Sequence, residues 1–72
     1  MKRTYVESSN LESVGYDPCE RVLEVKFKNG VVYQYFDVPR MTFRALMAAK
    51  SKGSHLHRYI KTNTRIKYAR VT

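Results

Sequence analysis

Apolar and charged residues alternate between Val22 and Lys28, with Leu23, Val25 and Phe27 on one side and Glu24, Lys26 and Lys28 on the other. A period of two predicts a half-buried strand. Asn29-Gly30 follows, and both residues tolerate positive φ, so a hairpin is expected. Val31 to Phe36 is its return strand. Upstream, Leu11 to Tyr16 predicts a shorter strand on Leu11, Val14 and Tyr16, closed by an Asp17-Pro18 turn.

The hairpin register decides where the tyrosines go. A two-residue Asn29-Gly30 loop pairs Lys28 with Val31 and sets Tyr33 and Tyr35 beside Lys26 and Glu24. A three-residue Lys28-Asn29-Gly30 loop pairs Phe27 with Val31 and sets them beside Val25 and Leu23. Slipping by one residue flips every side chain, so burial favours the second register, with one wholly apolar face. Glu24, Lys26, Val32, Gln34 and Phe36 then share the other face.

After the strands the period lengthens. Pro39 suits the first turn of a helix, with Asp37 or Val38 at its cap. Phe43, Leu46 and Met47 carry that helix to about Lys50, with Ala45 and Ala49 where the sheet comes close. Ser51-Lys52-Gly53 should end it. Ser54 then caps a short second helix with Leu56, Tyr59 and Ile60 at i, i+3, i+4 spacing. Thr62-Asn63-Thr64 makes a turn, and Arg65 to Val71 alternates as a returning strand, with Ile66 and Tyr68 inward. The expected fold is α+β: a three-stranded antiparallel meander, a helix, a short second helix and a C-terminal strand.

With 72 residues there is room for one small domain and one modest core. Six Tyr, three Phe and 43% hydrophobic content argue against disorder. No apolar run is long enough for a membrane span, and Met1-Lys2-Arg3 is not followed by the apolar stretch of a secretory signal. Cys19 is the only cysteine, so no intrachain disulfide can form. A cytoplasmic setting is expected, and the oligomeric state is left open.

Charge changes the picture most. All six acids (Glu7, Glu12, Asp17, Glu20, Glu24, Asp37) lie in the first 37 residues, which are nearly neutral. The net +8 therefore belongs to the second half, where Arg40, Arg44, Lys50, Lys52, Arg58, Lys61, Arg65, Lys67 and Arg70 meet no acid. Such segregation points to a polyanionic partner, most often nucleic acid. A basic surface kept only for solubility is the plainer explanation.

The segment Tyr33-Gln34-Tyr35-Phe36-Asp37-Val38-Pro39 resembles the Tyr-x-Tyr-x-x-Val-Pro centre of the KTSC domain. That module is named after the C-terminus of certain lysyl-tRNA synthetases and also occurs alone in bacteria and phages. Ser8-Ser9-Asn10-Leu11, Val14-Gly15-Tyr16-Asp17, Leu23-x-Val25-x-Phe27-x-Asn29-Gly30, Ser51-Lys52-Gly53 and Ile60 agree with it. The resemblance covers about residues 6 to 61. Where the family often has an aromatic residue followed by Asn, this chain has Leu56-His57. The resemblance implies no established activity, and it suggests RNA through the tRNA-handling enzyme that carries the module.

Three groups of residues are candidates for function. The first is the basic set, joined by His55. Arg40 and Arg44 are a like-charge i, i+4 pair that costs a few tenths of a kcal/mol without an anion. Lys50 and Lys52 have a local explanation at a helix C-terminus. Arg58, Lys61, Arg65, Lys67 and Arg70 have none. The second group is Tyr33 and Tyr35, which are either base-stacking platforms or core residues; the favoured register makes them core. Phe36 and Tyr68 are further platform candidates. The third is His55-x-His57, whose rings point about 160° apart on a helix and so cannot share a metal. They are better suited to stacking or to touching phosphate.

Catalysis has little support. The acids fall on turns, strand exteriors or a cap, Cys19 has no visible activator, and no carboxylate stands by for a nuclease built on His57 and Lys61. Ser8-Ser9-Asn10 reads as a backbone-bonding turn. The expectation is a non-enzymatic nucleic-acid-binding module without cofactor or metal, RNA favoured, holding phosphates with Arg40, Arg44, Lys50, Lys52, His55, Arg58, Lys61, Arg65, Lys67 and Arg70. The alternative is a protein-interaction module that docks an acidic partner, which an uncovered Val32 and Phe36 would favour.

Overall fold

The computed structural model describes residues 1–72. Four strands, rather than three, precede the helices: β1 (Thr4–Tyr5), β2 (Leu11–Asp17), β3 (Val22–Phe27) and β4 (Val32–Phe36). Then come α1 (Arg40–Ala48), α2 (Lys52–Leu56), a π-helical turn (His57–Lys61) and β5 (Lys67–Arg70). All five strands form one antiparallel sheet in the order β1-β2-β3-β4-β5. The chain is thus an α+β fold whose last strand returns beside β4. Two exposed residues give β1 no alternation to read.

Burial sets the hairpin register. Leu23 stands opposite Tyr35 and Val25 opposite Tyr33. The Phe27 amide donates to the Val31 carbonyl at 2.9 Å, and Gly30 takes the left-handed φ of 92° that closes the three-residue loop. The resulting apolar face carries Leu11, Val14, Leu23, Val25 and Tyr35. Val38, Leu46, Leu56, Ile60 and Ile66 cover it.

The helix ends differ from the sequence expectation. Pro39 itself is the cap residue of α1, while Asp37 turns the chain with φ 58°. That turn lets the Val38 amide donate to the Arg21 carbonyl at 2.9 Å and buries the Val38 side chain. Helix α1 stops at Ala48 rather than Lys50, because Ala49 is already extended. Ala45 is exposed; Leu46 is the residue that meets the sheet. Ser51, not Ser54, takes the cap position of α2, so Gly53 lies inside a helix instead of ending one. Gly53 lies beside Asn10, and a Cβ there would make ordinary contact at 3.4 Å from Asn10 Nδ2. Ile66 is buried, but Tyr68 is 65% exposed, because β5 is an edge strand lying beyond the helices.

The opposite sheet face is closed by polar groups. Glu24 is only 6% exposed, yet both its oxygens are engaged. Arg3 Nη1 donates to one, and Gln34 Nε2 donates to the other at 2.8 Å. Arg3 Nε also reaches Ser13 Oγ at 3.2 Å. A buried carboxylate is tolerable only when paired and hydrogen-bonded in this way. Gly15 makes room for the arrangement, since a Cβ there would lie 2.7 Å from the Lys2 carbonyl oxygen and 3.0 Å from Arg3 Cγ.

Candidate functional site

The helix that begins at Lys52 runs past the turn end of the β3–β4 hairpin, leaving a groove of about 630 Å³ between them. One wall is Asn10, Leu11 and Phe27; the other is Gly53, Ser54, Leu56, His57, Arg58, Lys61 and Thr62. The Ser8 hydroxyl fixes the first wall by accepting from the Asn10 and Leu11 amides, both at 3.2 Å. That is the backbone-bonding turn expected of Ser8-Ser9-Asn10. No acidic residue lines the groove or the neighbouring depression formed by Ser9, Asn10, Phe27, Lys28, Asn29 and Lys61.

Lys61 is at the hub. It borders the groove and the three depressions that adjoin it. Its ammonium lies 4.9 Å from the centre of the Phe27 ring, a cation–π contact that holds the side chain across the hairpin end. The helical geometry places it there. The Thr62 amide skips back to the His57 carbonyl at 3.2 Å, an i to i−5 bond that leaves the Arg58 carbonyl without its usual partner. The Thr62 hydroxyl fills that vacancy, donating to the Arg58 oxygen at 2.7 Å. Ile60 stays in the core through this turn while Arg58 and Lys61 stay exposed.

The chain's two ion pairs, Arg3–Glu24 and Lys26–Glu12, both use basic residues of the first half. No Lys or Arg beyond Asp37 is paired with an acid. Two of them are held by backbone instead: Lys52 Nζ donates to the Ala49 carbonyl at 3.1 Å, and Arg70 Nε donates to the Thr72 carbonyl.

The basic residues singled out from the sequence do not share one surface. Arg58 and Lys61 line the groove. Lys67 joins Lys61 in a depression floored by Ile66 and flanked by Tyr68. Arg65 is exposed at the turn leading there. Arg70 sits on β5 opposite Tyr33. Arg40 and Arg44 border a separate depression with Tyr16, Pro18 and Phe43. Lys50 is exposed in the link between α1 and α2. The His55 ring lies on Tyr59, 4.6 Å between centres, and His57 is the histidine that faces the groove. His57, a candidate from the sequence for stacking or touching phosphate, lines the groove in place of His55, whereas Lys28, Asn10 and Phe27 lie outside the residues singled out from the sequence. The hairpin turn and the Ser-Ser-Asn-Leu motif were the signals that could have drawn them in.

A second surface adjoins the groove. Tyr33, Tyr35 and Tyr68 stand together on β4 and β5, with ring centres 5.9 to 6.4 Å apart. With Lys61 they enclose an open pocket of about 240 Å³. Phe27 meets Tyr33 edge to face at 5.9 Å. Burial, and then the neighbouring Tyr33 and Tyr68, push the Tyr35 phenol up to about 12. An acid whose folded pKa is raised favours the fold while protonated. Stability should therefore be full below pH 10 and fall as pH rises from 10 towards 12. Chemical denaturation across that range checks this, and Tyr35→Phe should flatten the fall.

Comparison with known proteins places this architecture. A KTSC domain match spans residues 7–63. An uncharacterised protein of Stutzerimonas stutzeri is 44% identical over 61 residues, covering 85% of this chain and 86% of its own. A protein of Tsukamurella paurometabola is 42% identical, over 83% of this chain and 90% of its own. A lysine–tRNA ligase of a Nostoc species is 36% identical over 55 residues, 76% of this chain but only 10% of the ligase. The crystal structure of a KTSC domain protein from Yersinia pestis superposes with a TM-score of 0.88 at 36% identity, covering 99% of this chain and 97% of that one. With the Tyr-x-Tyr-x-x-Val-Pro centre, the five-stranded sheet and these matches in agreement, the chain belongs to the KTSC domain family.

Proposed function

We propose that the domain is a non-enzymatic nucleic-acid-binding module, with RNA the favoured partner, and that it holds phosphates along the groove beside the Lys52–Lys61 helix. The observation that carries this reading is a groove lined by His57, Arg58 and Lys61, with no acid in it and no ion pair to its cations. Cations left unpaired beside one another repel, and a phosphate backbone relieves that repulsion while releasing its own counterions. The lysine–tRNA ligase relatives carry the same module on an enzyme that handles tRNA, which supports RNA over DNA. No carboxylate stands by to orient His57, which supports binding rather than catalysis. The docking of an acidic protein has less support: Val32 is 5% exposed and Phe36 half-buried, so the outer sheet face offers no open apolar patch.

Titration of the protein against tRNA, single-stranded RNA and duplex DNA at two salt concentrations tests the reading. With about four phosphates neutralised, log affinity against log salt should fall with a slope of about −3. Absence of binding to every polynucleotide at low salt would replace this reading with the acidic-protein one.

A further inference from the structure

We infer that the tyrosine pocket beside the groove is a base-holding site, which makes the preferred ligand a single strand rather than a duplex. The inference rests on the phosphate-binding reading of the groove and adds a second element to it. Tyr33, Tyr35 and Tyr68 form a cup whose rings are tilted 36°, 40° and 67° to one another. Centres about 6 Å apart leave no space for a base between two rings, because a flat group needs about 3.5 Å of clearance on each side. A base therefore lies on the open side of the cup, against the 65% exposed ring of Tyr68.

The second observation is continuity. Lys61 closes the cup and is also part of the groove wall with Arg58. A strand with phosphates at Arg58 and Lys61 brings its next base to the tyrosines without leaving the surface. On the other side Lys61 and Lys67 border the depression that Tyr68 flanks, so cations stand on both sides of the exposed ring. Aromatic faces interleaved with cations are how single strands are held without sequence readout. A duplex keeps its bases stacked inside, so it can use the cations and not the rings.

Tyr68 is the residue to change, since it lies at the edge of the sheet and its ring is mostly exposed. The probes are a ten-nucleotide oligouridylate and a duplex RNA of the same length. Tyr68→Ala should weaken oligouridylate binding about 5- to 150-fold and leave duplex binding unchanged. Tyr68→Phe keeps the ring and should bind like the parent. In the parent, the ring resonances of Tyr33 and Tyr68 should shift on adding oligouridylate, a readout that needs no variant. A Tyr68→Ala protein that melts like the parent and binds oligouridylate equally well, with Arg58→Glu still weakening it, overturns the base site alone. Unmoved tyrosine resonances at saturating oligouridylate do the same. A parent that binds neither probe ends the groove reading and this one together.

Discussion

Leu56→Ala should destabilise the domain by about 2–5 kcal/mol, the cost of deleting a fully enclosed leucine and leaving part of its cavity. Leu56 is 1% exposed and belongs to the cluster that joins the helices to Leu11, Val25 and Tyr35. It is also on the groove-side helix, so the same contact that stabilises the fold holds Arg58 and Lys61 in place. In a domain of this size each kcal/mol moves the melting temperature by roughly 4–8 °C. The melt should therefore fall by about 8 °C or more. Met41→Ala is the comparison: Met41 is 82% exposed, and its loss should cost under about 0.5 kcal/mol. Thermal melts of the two variants, run side by side, check the ordering.

Reversing both groove cations should remove most of the binding and little of the fold. Arg58→Glu with Lys61→Glu takes away two phosphate contacts and puts carboxylates in their place. The salt slope should drop from about −3 to about −1.5, and the loss should be similar for every sequence, because backbone contacts carry no base information. Both residues are exposed, and the contact of Lys61 with Phe27 is worth about 0.5–1 kcal/mol at such a site, so the variant should stay folded. Arg40→Glu with Arg44→Glu makes the same change in net charge in the separate depression by Pro18. It should keep a slope near the parent's. Equal losses in the two doubles would mean that net charge, not the groove, carries the affinity.

The hairpin was legible because local signals and burial agreed there. The alternation at Leu23, Val25 and Phe27, the Asn29-Gly30 turn and the demand for one apolar face select a single register, and the structure has it. What misled was a signal with two meanings. Ser51-Lys52-Gly53 reads as a helix stop, but Ser51 takes the cap position of the second helix and Gly53 lies within it. Asp37 reads as a cap, but its left-handed turn serves to bury Val38. β1 had no signal at all, since it pairs through backbone groups and exposes both side chains.

Charge segregation was visible in the sequence, and its division in space was not. Arg40 and Arg44 belong to α1 and border a depression on Tyr16 and Phe43. Arg58 and Lys61 belong to the next helix and face Phe27. The groove itself joins residues near positions 10, 27 and 53–62, so it exists only once the sheet and helix have met. Choosing between His55 and His57 required the rotation of that helix about its axis. Leu56 and Ile60 set the rotation by facing the core, and His57 follows toward the groove while His55 meets Tyr59.

The central claim, that the groove beside the Lys52–Lys61 helix holds the nucleic acid, is tested most directly by mapping amide resonances during a titration with single-stranded RNA. Shifts should be largest at Asn10, Lys28, Gly53, Arg58, Lys61 and Thr62, and should shrink together as salt is raised. Amides of α1 around Arg40 and Arg44, and of the sheet face carrying Glu24 and Gln34, should stay in place. A map centred on α1 or on that sheet face, or no shift anywhere at low salt, would contradict it.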